Sequence, residues 1–216
     1  PHQQWWRRFK GNLFYTFAAH NVHTNSKERR LFGGTAMFLA KNATSRLVEH
    51  GHDPTGLGRW TWIKLQGRQR ITTRIINGYR PVKDFSNRPG TVHSQHERQF
   101  YSLGTPREPR QAYLDDLGAF IQECIEEGEQ IILGMDANEY VGSTNLKTWA
   151  SRYMLQLSLQ TTHPHLPEVD TCDKGRRQQP IDGIWTSLGL DVRQCGMTGF
   201  GELVIGASDH RLLWID

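Results

Sequence analysis

An α+β fold, a two-sheet β-sandwich flanked by helices, is what these 216 residues predict. Three observations predict it. Short segments rich in aromatic and β-branched residues recur along the chain, and one of them, RWTWIKLQ (59–66), alternates in the way of a half-buried strand. Helical periodicity is confined to 108–127 and a shorter stretch after Thr144. The chain has no repeats, linkers or low-complexity segments, and its length suits one large domain around one core. Strands alternating with two helices laid outside them fit two sheets packed face to face.

The elements follow in order. LFYTFAAH (13–20) reads as a strand by its aromatic content, and GTAMFLAK (34–41) as another. In 59–66, Trp60, Trp62 and Lys64 share a side, and Gly67 turns the chain into ITTRIINGY (71–79). Residues 82–107 are polar, rich in Pro, Gly and His, and read as a long surface loop. From 108 to 127, Tyr113, Leu117, Phe120, Ile121, Cys124 and Ile125 form one apolar stripe at helical spacing, and Gly128 is placed to end the helix. That stripe is core packing. A second helix runs from Thr144 through Leu146, Trp149 and Ala150. LSLQTTH (157–163), IDGIWTS (181–187), LDVRQCG (190–196) and HRLLWID (210–216) are strand-like.

Composition narrows the classes of function. No apolar run approaches the roughly 20 residues needed to span a bilayer, so no membrane partner is expected. Three cysteines without metal-ligand spacing (Cys124, Cys172, Cys195) point to structural thiols in a reducing, intracellular compartment, nuclear or cytoplasmic. A net charge of +4 and a pI near 9.1 favour a polyanionic partner. Arg7 and Arg8 follow Trp5 and Trp6, and Arg176 and Arg177 end a loop five residues before Asp182. With the basic residue before Trp60, these suggest contacts to a phosphate backbone and stacking on bases. Lys27–Arg30 is split by Glu28 and reads as a solvated turn.

Three segments carry chemistry: GMDANE (134–139), PIDGIW (180–185) and GASDHRLLWID (206–216). The apolar run Ile131–Leu133 stops at Gly134 and delivers Asp136 and Asn138, which at i and i+2 of an extended segment share a face. Glu139 falls off that face. Asp209 and His210 sit at a turn just before the apolar run Leu212–Ile215. Carboxylate, amide and imidazole groups at strand ends suit phosphoester hydrolysis, which needs an activated water, charge relief on phosphoryl oxygens and help for the departing oxygen. Taken singly, each tripeptide also reads as a turn or a cap.

The order G-x-D-x-N, I-D-x-I, S-D-H resembles the endonuclease/exonuclease/phosphatase (DNase I-like) superfamily. IINGYRP (75–81) resembles its strand ending in a phosphate-contacting tyrosine, and GGTAMFLAK (33–41) its glycine-opened strand. The likeness runs from about residue 11 to 216. It implies a four-layer α/β/β/α arrangement and a set of roles. Asp136 would orient or deprotonate the attacking water, Asn138 and Tyr79 would contact phosphate, Asp182 would hold His210, and Asp209 would bind Mg²⁺, or Mn²⁺ in its place. The family's earliest motifs, a strand ending in Asn and a strand ending in Gln-Glu, have no counterpart here. Residues 1–216 are therefore expected to form a single domain incomplete at its N-terminus. EPRQAYLDDL, GMDANE and HRLLWID resemble the endonuclease-like domains of mobile elements, which implies DNA as substrate and a reverse transcriptase as a fusion partner. The alternatives are a phosphomonoesterase or lipid phosphodiesterase on the same fold, and an inactive relative that only binds nucleic acid.

Overall fold

The computed structural model describes residues 14–23, 33–83, 90–165, 167–173, 179–202 and 208–216. The alternating segment becomes strand β4 (Trp60–Gln66), and Gly67, whose N–H donates to Ile71 O at 2.7 Å, turns it into β5 (Thr72–Tyr79). Gln69 and Arg70 have φ of 54° and 65° in that turn. Around this hairpin lies a six-stranded sheet with β3 (Leu47–His52), β6 (Gln130–Asp136), β7 (Leu155–Leu157) and β8 (Asp182–Ser187), in the order β3-β4-β5-β6-β8-β7. Only β5 and β6 are parallel within this sheet. Two further antiparallel pairs form separate two-stranded sheets, β1 (Phe14–Ala19) with β2 (Thr35–Ala40) and β9 (Cys195–Met197) with β10 (Leu213–Ile215).

The parallel crossover from β5 to β6 contains two helices, α1 (Val92–Ser102) and α2 (Pro109–Glu126). Pro109 opens α2 at a position where a missing N–H costs nothing, and the Glu108 carboxylate accepts from Gln111 N at 2.6 Å. Gly128, at φ 77°, follows its end. The predicted stripe faces inward: Tyr113, Leu117, Ile121 and Cys124 are buried against Ile76, Ile131 and Leu133 of the sheet. The Tyr113 hydroxyl fills the space that a Cβ at Gly78 would take, which fixes α2 against the end of β5. α3 (Thr144–Arg152), capped by the Ser143 hydroxyl, adds Leu146, Trp149 and Ala150 to the same core. The opposite face of the sheet meets β1 and β2 through a smaller cluster of Leu39, Ile63 and Leu65.

Three readings of the sequence need correction. Residues 82–107 are not all loop, since α1 occupies Val92–Ser102. Its buried positions include Ser94, Gln95 and His96, so no apolar stripe advertises it; the Thr91–Ser94 capping box does. LSLQTTH is not a strand: β7 ends at Leu157 and a short helix, α4, takes Ser158–Thr162. Of LDVRQCG only Cys195 and Gly196 enter a strand. β3 gave no signal because it is an edge strand with mostly exposed side chains. No helix among the described residues is long and apolar enough to cross a membrane.

Candidate active site

Strand register assembles the site. Tyr79 at the end of β5 pairs with Asp136 at the end of β6, and Asp136 pairs with Asp182 at the start of β8. The three side chains form one row across three strands. Ile76, Leu133 and Trp185, at odd offsets from them, pack into the helix-covered core. By alternation the row lies on the other face, where it borders a groove of about 390 Å³ walled by Ala36 of β2 and by Leu212 and Leu213 at β10.

Asp182 is the most constrained of the three. Its Oδ2 accepts from Thr171 Oγ1 at 2.6 Å and is bonded to His210 Nδ1 at 2.8 Å. Thr171 is fully buried, and its hydroxyl oxygen accepts the N–H groups of Ile181 and Asp182, each at 3.0 Å. One threonine thus fixes both the backbone and the carboxylate of Asp182. The segment that carries His210 is fastened in turn: Arg211 N–H donates to Thr171 O at 2.8 Å, Asp173 N–H to Asp209 O at 2.9 Å, and Cys172 pairs with His210 in a β-bridge. Donation of its Nδ1–H to the Asp182 carboxylate raises the His210 imidazole pKa to about 9.

Asp136 behaves differently. Burial, followed by the negative charge of Asp182, pushes its carboxyl up to about 6. Its Oδ1 accepts the Asn138 N–H at 2.9 Å. The shared-face argument for Asn138 fails, because the strand stops at Asp136 and Asn138 lies in a left-handed turn at φ 46°. The amide still reaches the site by folding back: Nδ2 donates to Arg80 O at 2.7 Å and to Asp136 Oδ2 at 3.3 Å. Burial and the Asp136 charge raise the Tyr79 phenol, against a hydrogen bond to Asn138.

Beside the row lies a cluster that sequence reasoning missed. Arg80 Nη1 and Arg110 Nη2 both donate to Glu139 Oε2, at 2.6 and 3.0 Å, and Ser143 Oγ donates to Oε1 at 2.7 Å. Arg80 and Arg110 are almost wholly buried. Two cations share one carboxylate there. Glu139 is thereby committed to arginine and offers nothing to a metal. Thr171 was missed too; its only sequence signal is a hydroxyl residue upstream of the I-D-x-I motif.

Of the other predicted residues, Asp209 adjoins His210, and its Oδ2 lies 4.0 Å from Cys172 Sγ. Donor atoms of Asp136, Asp182 and His210 all fall within 4.8 Å of one another. Arg7, Arg8, Arg176 and Arg177 lie outside the described residues. The basic residue before Trp60 is corrected: Arg59 is 1 % exposed and is taken up by Asp53 at 2.7 Å and Asp116 at 2.9 Å.

No family model matches the sequence, and no curated protein matches it. Solved structures do. The human Nocturnin catalytic domain with bound sulfate anion is 16 % identical, with a TM-score of 0.62 over 99 % of this chain and 74 % of that one. An AP endonuclease from Archaeoglobus fulgidus is 13 % identical, with a TM-score of 0.62 over 99 % and 81 %. A mannosyl-6-phosphatase from Bacteroides thetaiotaomicron is 13 % identical, with a TM-score of 0.56 over 94 % and 76 %. Nucleases and a phosphatase thus share this layout of strands and helices, and the chain carries the endonuclease/exonuclease/phosphatase (DNase I-like) fold.

Proposed function

We propose that the chain hydrolyses phosphodiester bonds in nucleic acid. The observation that carries this reading is the Tyr79–Asp136–Asp182 row with His210 bonded to Asp182 at 2.8 Å. Asp136, the carboxyl raised by burial and by its neighbour, accepts the proton of the attacking water. His210, oriented through Nδ1, presents Nε2 to the phosphoryl or departing oxygen and, carrying its proton below about 9, offsets developing negative charge. Asn138 and Tyr79 hold the phosphate, with Arg80 and Arg110 behind them on Glu139.

Hard carboxylate donors suit Mg²⁺, which keeps several waters and needs only one or two protein carboxylates. Asp209 is the proposed ligand. Asp136 is the second candidate, and a cation there would relieve its repulsion with Asp182. When bound, the ion would neutralise charge on the phosphoryl oxygens. We also propose that further strands upstream complete the domain. Among the described residues β2 pairs only with β1 and β10 only with β9, and the groove between them is open. The mobile-element type, DNA as the nucleic acid and a reverse transcriptase neighbour rest on the sequence resemblance alone.

A nuclease assay on single- and double-stranded DNA with Mg²⁺ or EDTA tests the reading, with the chain alone and extended upstream. In whichever form cuts, His210→Ala and Asp136→Asn are each expected to slow turnover at least about 10²-fold. Wild-type rates in either variant would remove that residue from the mechanism. The phosphatase among the structural neighbours supports a second reading, a phosphomonoesterase or lipid phosphodiesterase. It gains if a small phosphoester is turned over while oligonucleotides are not.

A further inference from the structure

Cys172 differs from the other two cysteines. Cys124 and Cys195 are buried, whereas Cys172 is half-buried at the edge of the site. It occupies an isolated β-bridge between a bend at Thr171 and a turn at Asp173. The bridge between Cys172 and His210, with the bonds from Asp173 to Asp209 and from Arg211 to Thr171, holds the two segments in register. The thiol is thereby set beside Asp209, with Sγ 4.0 Å from Oδ2. Donor atoms of Cys172, Asp209 and His210 all lie within 4.8 Å of one another.

This donor set is softer than that of the row. A tetrahedral Zn²⁺ with bonds of about 2.0–2.3 Å places its ligand atoms roughly 3.4–3.7 Å apart. The Sγ–Oδ2 separation of 4.0 Å lies within about 0.5 Å of that spacing. The imidazole is also prepared for such an ion. Its Nδ1 is engaged by Asp182, which leaves Nε2, and a carboxylate behind a metal-bound histidine is the arrangement that fixes tautomer and raises ligand basicity.

We propose that Cys172, Asp209 and His210 form a three-donor site for a thiophilic divalent cation such as Zn²⁺, with water at the fourth position. On binding, the Cys172 thiol gives its proton to the buffer and the thiolate bonds the metal. The ion occupies Nε2 of His210 and the carboxylate of Asp209, and it inhibits hydrolysis. The inhibition rests on the roles proposed above for those two residues; the binding does not.

The test uses the full chain with Zn²⁺ or Co²⁺ alone. Zn²⁺ is expected to protect Cys172 from iodoacetamide, read by mass spectrometry of its peptide, while buried Cys124 and Cys195 serve as slow internal references. Co²⁺ is expected to produce a sulfur-to-cobalt charge-transfer band in the near ultraviolet. Cys172→Ser should abolish the band, weaken Zn²⁺ binding at least about tenfold and relieve Zn²⁺ inhibition measured against its own Mg²⁺-supported rate. Unchanged alkylation of Cys172 in saturating Zn²⁺, or a cobalt band that persists in Cys172→Ser, overturns the proposal. Zn²⁺ protection in a protein that cuts no phosphoester, either as this chain or extended upstream, would keep this site and discard the nuclease reading; cutting without protection would do the reverse.

Discussion

The two faces of the six-stranded sheet are built from alternate residues of the same strands and have opposite characters. On the helix side, Ile76, Ile131, Leu133 and Trp185 are sealed beneath α2 and α3. Buried charges on the sheet are paired one against another. Arg74 is bonded twice to Glu129, at 2.7 and 2.8 Å, and Arg59 is bonded to Asp53. On the other side, Ile132 and Ile184 are only half-buried, and two aspartates of like charge, Asp136 and Asp182, stand side by side. The closed face supplies cohesion. The other face, where β1 and β2 do not cover it, holds Asp136 with its charge opposed by burial and by Asp182.

The sharpest way to break this comparison uses adjacent residues of β6. Leu133→Ala on the closed face is expected to cost about 2–5 kcal/mol through lost burial and a cavity. At this chain length that is a fall in melting temperature of roughly 5–15 °C. Ile132→Ala on the open face should cost less than half as much, since part of that side chain is already solvated. Equal losses, measured by calorimetry, would mean that the faces do not differ in this way.

The same asymmetry explains what could be read in advance. The closed face writes itself as periodic apolar residues, so the stripe from Tyr113 to Ile125 and the strands around Trp60 and Ile131 were legible. The catalytic candidates were legible as strand-end tripeptides because register alone brings Tyr79, Asp136 and Asp182 into line. Contacts made by folding were not. Arg80 and Glu139 meet across 59 residues and Arg110 and Glu139 across 29, with no spacing rule to join them. Asn138 meets Asp136 by a route the spacing did not suggest, since a turn and not a pleat returns it. α1 was hidden because its buried face is polar.

A second measurement sharpens the comparison at His210. If Asp182 is what holds the imidazole near 9, then Asp182→Asn should bring it back toward its ordinary 6.5, a drop of about two units visible in an NMR titration of the ring. Thr171→Val should move it less, because the Nδ1 bond survives while only the carboxylate's support is lost. An imidazole still near 9 in Asp182→Asn would transfer the cause to Asp136 or Asp209.

The smallest effect concerns Asp136, and its sign is the reverse of the usual carboxylate case. Its folded value, about 6, lies above the ordinary 3.8, so the fold binds this proton more tightly than the unfolded chain does. Stability contributed by the protonated group is therefore complete below about 3.8 and is lost as pH rises toward 6. His210, raised from 6.5 to about 9, contributes stability below 6.5 that is lost as pH rises through 9, so the two windows do not overlap. At pH 7 in EDTA, Asp136→Asn removes a charge that burial and Asp182 both oppose. It should stabilise the chain by on the order of 1 kcal/mol, or ~2–4 °C, and flatten the fall in melting temperature between pH 4 and 6 alone. Neither paired carboxylate of the closed face should behave so: Asp53→Asn and Glu129→Gln each remove the most buried charge partner of a buried arginine and should destabilise. A destabilised Asp136→Asn would place Asp136 with those structural pairs and end its candidacy as a group held in tension for catalysis.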